Sequence, residues 1–160
     1  FLFADSIFNN VTLYNPNISL IDVEKAASDI GIDRFIKKLP NGFKYIVNEG
    51  GTILSSGQRQ LISFLRAYVS NPKILILDEA TSSVDSFTEE LIQTATDRII
   101  KNKTSIIIAH RLTTIKKADK IIVLDRGKIV ETGTHLELIN IEKGHYKKLH
   151  EFQFNREEIS

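Results

Sequence analysis

The chain has 160 residues, which is long enough for one domain with a hydrophobic core. Its 21 Lys and Arg residues nearly balance its 20 Asp and Glu residues, so no broad electrostatic field indicates nucleic acid or an anionic membrane surface as a partner. The absence of cysteine excludes disulfides and Cys-based zinc sites and fits a reducing compartment. No apolar run approaches the roughly 18–20 residues that a membrane-spanning helix needs.

The first third of the chain predicts a small helical region. The pair Asp5-Ser6 is the expected cap of a short helical turn, and the Ser19-x-x-Asp22 pattern begins a second helix that ends at Gly31. Asp33 is expected to cap a third short helix.

From Leu54 onwards the pattern alternates between helices and strands. The sequence Leu54–Gln58 leads into an amphipathic helix, and Ile74–Leu77 follows as a strand expected to be buried on both faces. The pattern Ser86-x-x-Glu89 predicts a capping box at the start of the next helix. A second buried strand is predicted over 104–109.

The last third predicts a hairpin between two helices. A short helix over 113–118 leads to strands at 121–124 and 128–132, joined by a tight turn. Thr134-x-x-Glu137 is a second capping box, and an amphipathic C-terminal helix is expected from a stripe of Tyr146, Leu149 and Phe152. Strands that alternate with helices indicate an α/β fold with a mostly parallel sheet.

Two adjacent carboxylates, Asp78 and Glu79, directly follow the strand at 74–77. Ligands of open α/β sheets bind at the carboxyl ends of the strands, and two acids there suggest a divalent cation and a water to be activated. On the pair alone, the alternative that the two acids begin a solvated loop stays open.

Five sequence segments stand in a fixed order: L-S-S-G-Q, a strand ending in D-E, S-S-V-D, I-I-I-A-H-R-L, and a tail reading A-D-K-I-I-V-L-D-R-G-K-I-V-E-T-G-T-H-L-E-L-I. Together they resemble the C-terminal part of the nucleotide-binding domain of an ABC transporter of the exporter type. The resemblance extends from Phe1 to about Phe154 and implies an incomplete P-loop NTPase-like core with an inserted helical subdomain. It assigns about 1–72 to the helical and signature subdomain and about 73–160 to the core.

The resemblance implies a role for each acid and for one histidine. Asp78 resembles the Walker B aspartate that holds Mg²⁺ directly or through water, and Glu79 resembles the catalytic glutamate that polarises the attacking water. His110 resembles the switch histidine that contacts the γ-phosphate. Glu79 as a second magnesium-shell acid and His110 as a structural hydrogen-bonding residue are the alternatives.

Ser55, Ser56, Gly57 and Gln58 stand at a predicted helix N-terminus, where free N–H groups and the helix dipole favour an anion. In the family this segment caps nucleotide held by the partner domain of a head-to-tail dimer. The usual motif is L-S-G-G-Q, so the Cβ of Ser56 could crowd the phosphate or constrain the backbone. Asp85 resembles the aspartate that couples the two sites, with a helix cap as its alternative.

Two further positions have weaker expectations. Glu49 aligns with the exporter segment that contacts the coupling helices of the membrane domains, and Gly50 replaces the Arg that normally follows it. Arg59 is expected to be a solvated or dipole-neutral surface residue rather than a ligand.

The family implies an ATPase that binds ATP and Mg²⁺, pairs with a second ABC ATPase domain, and drives export through a fused or associated transmembrane domain at the cytoplasmic face of a membrane. A non-hydrolysing regulatory half of a heterodimer, marked by Ser56, is one alternative. A soluble ABC ATPase that acts on DNA or ribosomes is another, disfavoured by the lack of basic patches.

No G-x-x-x-x-G-K-[S/T] motif occurs in the sequence. We expect the phosphate-binding loop to lie upstream of Phe1, so that these residues are a C-terminal fragment of a longer chain. The chain alone is then expected to bind ATP weakly and not to turn it over.

Overall fold

The computed structural model describes residues 1–78, 85–109 and 112–157. Its helices are α1 (Ile7–Thr12), α2 (Leu20–Ile30), α3 (Asp33–Lys37), α4 (Ser56–Ser70), α5 (Ser86–Ile99), α6 (Leu112–Lys116), α7 (His135–Ile139) and α8 (His145–Glu157). Its strands are β1 (Ile74–Asp78), β2 (Thr104–Ile108), β3 (Ile121–Asp125) and β4 (Lys128–Gly133), and 3-10 turns occupy Gly42–Lys44 and Glu49–Gly51.

The described residues form two compact units. The first comprises residues up to Leu77 together with 85–106, and the second comprises Asp78 and the described residues from Ile107 onwards. The division of the sequence near residue 72 into helical and core parts stays a prediction.

Local capping chemistry sets most helix boundaries in the first unit. The Ser6 side chain accepts from the first turn of α1, and α2 begins after Ser19 as predicted, with Ser19 and Asp22 forming a reciprocal capping box. Gly31 ends α2 in the left-handed region, with φ of 81°. The prediction for Asp33 was wrong, because Ile32 is the N-cap of α3 and the Asp33 carboxylate binds Lys37 Nζ at 2.9 Å instead.

The core of the first unit lies where α4 packs against α1, α2 and α5. Each helix contributes aliphatic side chains at helical spacing, so that a continuous apolar stripe is removed from water. Among the buried members of this core are Ile7, Val11, Val23, Ala27, Ile30, Leu61, Ile62, Leu65, Ile92, Ala95 and Ile99.

The strands β1 and β2 pair in a small parallel sheet. The predictions that β1 is buried on both faces and that β2 is buried were wrong. Leu75 and Leu77 are buried, but Ile74 and Ile76 are 61% and 67% exposed, and no residue of β2 is fully buried. The described elements therefore cover one face of β1, and strand burial follows the period of two that a half-covered strand requires.

Helix α5 begins one residue earlier than its capping pattern predicts. Asp85 is the N-cap, and its side chain accepts from the Thr88 N–H at 2.9 Å, so the Ser86–Glu89 capping box was wrong. Both residues are good N-caps, and the chain uses the carboxylate, which also interacts favourably with the positive end of the helix.

In the second unit β3 and β4 form the predicted antiparallel hairpin, and Thr134 with Glu137 forms the predicted capping box on α7. Val123, Leu138 and Tyr146 form its buried cluster. The predicted apolar stripe of α8 was wrong beyond Tyr146, because Leu149 and Phe152 are 56% and 63% exposed. Within the described ranges, no helix has the length and apolarity needed to cross a membrane.

Candidate functional site

The turn at Ser55–Gln58 is a closed hydrogen-bonded cap at the start of α4. Ser55 Oγ accepts from the Gln58 N–H at 3.2 Å, and Gln58 Oε1 accepts from the Ser55 N–H at 3.0 Å. This reciprocal capping box fixes the backbone that enters the helix. The turn is therefore preformed, with the two serines exposed and Gly57 buried behind them.

The N–H groups of Ser56 and Gly57 occupy the first turn of α4, where a helix offers no internal acceptor. Neither N–H has an acceptor elsewhere among the described residues. Free N–H groups at the positive end of a 15-residue helix can bind an anion. Ser56 has helical backbone as the first residue of α4, so the turn does not need glycine there for conformational reasons.

Arg59 holds the loop that precedes this turn. Its Nη1 donates to the Leu54 carbonyl at 2.6 Å and to the Gly51 carbonyl at 3.4 Å. The prediction of a solvated surface residue was therefore wrong, since the guanidinium is half-buried and fastens the loop to α4. Glu49, the position expected to contact a membrane domain, is exposed beside Gly50, whose φ of 71° favours glycine.

Asp78 is the last residue of β1 and is exposed. Asp85, as the cap of α5, is also exposed, and the N–H groups of Thr88 and its neighbours hold the pKa of its carboxyl below the ordinary value. Glu79 and His110 lie outside the described residues. The convergence of Asp78, Glu79 and His110 on one phosphate thus stays a prediction.

A carboxylate at the end of a strand has the oxygen donors that Mg²⁺ prefers, and Asp78 fits that requirement as a single ligand. The described part of the chain contains no group of three or more His, Asp or Glu side chains that could hold a metal by themselves. Magnesium usually takes one or two carboxylates together with water and phosphate oxygens, so Asp78 could serve as one of its ligands.

One structural pair was not foreseen from the sequence. Arg66 of α4 hydrogen-bonds the main chain of α1 at Asn10, and the buried Asn10 amide in turn bonds Phe3. The sequence signal for these contacts is the position of Asn10 between the aliphatics Ile7 and Val11 of a short helix. An amide buried among them requires hydrogen-bond partners.

Residues 2–82 match the family described as ABC transporter, and the chain belongs to this family. Membership implies nucleotide binding, and it confirms the resemblance drawn from the five ordered segments.

Curated relatives are similar over nearly all of the chain. The ATP-dependent lipid A-core flippase of Alkalilimnicola ehrlichii is 46% identical over 96% of the chain and 26% of the flippase. The leukotoxin export ATP-binding protein LtxB of Aggregatibacter actinomycetemcomitans is 48% identical over 94% of the chain and 21% of LtxB. The probable multidrug resistance ABC transporter ATP-binding/permease protein YheH of Bacillus subtilis is 46% identical over 96% and 23%.

A solved structure of a bacterial Atm1-family ABC exporter with ATP bound superposes with a TM-score of 0.81 at 39% identity, over 95% of this chain and 26% of that one. This likeness confirms the prediction of an α/β, P-loop NTPase-like fold. The chain spans about a quarter of the length of the flippase, of YheH and of the Atm1-family exporter.

Proposed function

We propose that these residues are part of the ATP-hydrolysing engine of an ABC exporter. The observation that carries the proposal is the preformed Ser55–Gln58 turn, with its two exposed serines and with helix N–H groups that have no acceptor among the described residues. Similarity to relatives named as a flippase, a toxin export protein and a multidrug transporter favours export as the process that ATP drives.

In this proposal the acids after β1 serve one nucleotide. Asp78 would hold Mg²⁺, which when bound neutralises charge on the β- and γ-phosphates. Glu79 orients and polarises the attacking water, and His110 donates a hydrogen bond toward the γ-phosphate oxygens. Such groups act by positioning and electrostatic stabilisation, because phosphoryl transfer needs little covalent help from the protein.

The Ser55–Gln58 turn serves a second nucleotide, which a neighbouring ABC ATPase domain holds in a head-to-tail dimer. The exposure of Ser55 and Ser56 supports this, because both side chains are accessible to a nucleotide held by a neighbouring domain. Closure of the two domains around ATP and their reopening after hydrolysis would transmit force to a fused or associated transmembrane domain. The ATPase domain then lies at the cytoplasmic face of the membrane.

Ser56 favours one second candidate, a regulatory half of a heterodimer in which the site capped by this turn is catalytically slow. Ser56 has a helical backbone, so serine in place of the motif's usual glycine does not distort the turn. In this candidate the turn therefore keeps its contact with nucleotide.

The test is ATP hydrolysis by the full-length protein that contains these residues. Glu79→Gln should lower the rate by about 10²-fold or more while ATP binding is retained, since the water loses its positioned base. Glu90→Gln, at an exposed position of α5, is the matched control and should hydrolyse ATP at the unsubstituted rate. Equal rates for the two variants would refute the assignment of Glu79.

A further inference from the structure

An open cleft of about 1030 Å³ lies in the first unit, between α2 and the C-terminal ends of α4 and α5. Five cationic side chains line it against two carboxylates; the cations are Lys25, Lys73, Arg98, Lys101 and Lys103. Both carboxylates already have partners. Asp22 accepts from Ser19 in the capping box of α2, and Asp29 accepts from the Tyr68 hydroxyl at 3.5 Å. The cleft therefore has an excess of positive charge.

Lys103 is the unusual member of this set. Its Nζ is buried and has no hydrogen-bond partner among the described residues. The nearest compensating group is the ring of Tyr68, whose centroid lies 5.6 Å from Nζ. A buried ammonium without an acceptor is unfavourable, so the site as it stands lacks an oxygen acceptor for Lys103.

Neutralisation of helix ends explains part of the positive charge but not Lys103. Arg98 does serve that purpose, because its Nη1 donates to the carbonyls of Asp29 at 2.8 Å and Ser28 at 3.4 Å in the last turn of α2. The Nζ of Lys103, by contrast, donates to no carbonyl of the described chain. The positive charge of Lys103 therefore does not serve to neutralise a helix C-terminus.

We propose that this cleft binds a small phosphate-like dianion, held by Lys73 and Lys101 at the exposed rim, with the buried ammonium of Lys103 adding its positive charge from behind the lining. A dianion would balance the excess charge, including that of the buried ammonium. The cleft is separate from the Ser55–Gln58 turn, because it adjoins the opposite end of α4, and a 15-residue helix is roughly 20 Å long.

The primary test is a titration of the 160-residue chain with inorganic phosphate at constant ionic strength. Binding is monitored by calorimetry and by the NMR signals of the tyrosine rings. The expected result is saturable binding that shifts the Tyr68 ring signals and leaves those of the exposed Tyr14 unchanged. Sodium chloride in place of phosphate tests whether charge screening alone produces the shift. No saturable binding, or equal shifts of both rings, would overturn the proposal.

Lys103→Met separates an anion site from a purely structural lysine. Without phosphate the variant should unfold at a higher temperature than the unsubstituted chain, because it no longer buries an unpaired ammonium. It should also lose the increase in unfolding temperature that phosphate gives the unsubstituted chain. A lower unfolding temperature with an unchanged phosphate response would contradict the assignment.

Two further variants complete the comparison. Lys44→Met makes the same change at an exposed position outside the cleft and should keep full phosphate binding. Lys73→Gln combined with Lys101→Gln should weaken binding by about tenfold or more, because each removes a charge-assisted contact while Lys103 is retained. Unweakened binding in the double variant would place the anion elsewhere.

Discussion

Arg66 Nε donates a hydrogen bond to the main-chain carbonyl of Asn10 at 2.7 Å, although the two residues are 56 positions apart in sequence. The same guanidinium reaches the Phe1 carbonyl at 3.1 Å through Nη2. The buried Asn10 amide bonds both the N–H and the carbonyl of Phe3, at 2.8 and 3.0 Å. Helix α4, helix α1 and the first residues of the chain are therefore fastened together by one cation and one amide.

Arg66→Ala should lower the free energy of unfolding by about 2–3 kcal/mol, because it leaves partly buried carbonyls without their charged donor. Chemical denaturation of the chain measures this change. Arg34→Ala, at an exposed position of α3, is the control and should stay within about 0.5 kcal/mol of the unsubstituted chain. Similar effects for both variants would mean that the link between α4 and α1 contributes little.

Two glycines with similar backbone conformations differ in their surroundings. Gly51 has φ of 63°, and a Cβ there would lie 2.7 Å from Leu2 Cδ1, whereas Gly127 has φ of 76° and nothing within 4 Å of such a Cβ. Gly127→Ala should cost about 1 kcal/mol of stability from the left-handed backbone alone. Gly51→Ala should cost about 1–3 kcal/mol more because Leu2 must move. Equal losses in denaturation curves would contradict this packing account.

Asp85 has a structural role in α5 and a proposed role in coupling nucleotide sites, and Asp85→Ser separates the two. Serine is as good an N-cap as aspartate, so the stability of the chain should change by less than about 0.5 kcal/mol. In the full-length protein the rate of ATP hydrolysis should nevertheless fall, because the carboxylate is lost. Full activity in this variant would leave Asp85 with the capping role alone.

The start of α8 is bound by Glu131, whose carboxylate accepts from the Tyr146 N–H at 2.9 Å and the His145 N–H at 2.6 Å. These bonds hold the pKa of Glu131 below its ordinary value of 4.5, with the Tyr146 N–H as the largest cause. A depressed pKa means that the stabilisation is present above about pH 4.5 and is lost as the pH falls further through the folded-state pKa.

Glu131→Gln should therefore be less stable than the unsubstituted chain at pH 7, and the difference should shrink on acidification below pH 4.5. Unfolding curves measured across this range give the comparison, with Glu142→Gln as an exposed control. A stability difference that is independent of pH would show that the charge of Glu131 is not what secures α8.

Local features of this chain were predictable from sequence, because their causes lie within a few residues. The capping boxes at Ser19 and Thr134 and the hairpin over β3 and β4 depend on side chains that contact their own backbone. The cap of α5 was wrong by one residue, because Asp85 and Ser86 are both suitable caps and only the backbone decides between them.

Burial was less predictable, since it depends on which elements cover a surface. The aliphatics of β1 suggested burial on both faces, but only Leu75 and Leu77 are buried. The same reason applies to α8, where Leu149 and Phe152 carry the expected spacing but are exposed. For the candidate site, motif order predicts the residues and their roles stay predictions, whereas the contact of Arg66 with Asn10 joins segments that no local pattern connects.

The central claim is that each nucleotide is served by Glu79 of one molecule and the Ser55–Gln58 turn of another. Two linked dimers of the full-length protein test it. One carries Glu79→Gln in one half and Ser56→Glu in the other, and the second carries both substitutions in the same half. Ser56→Glu introduces a charge that repels phosphate, and it spares the fold because an acid is favourable in the first turn of a helix.

The measurement is the rate of ATP hydrolysis by these two dimers. If each site combines Glu79 of one half with the Ser55–Gln58 turn of the other, the first dimer keeps one intact site and the second keeps none. The first dimer should therefore hydrolyse ATP and the second should not. The opposite result, with activity only when both substitutions lie in the same half, would contradict the account.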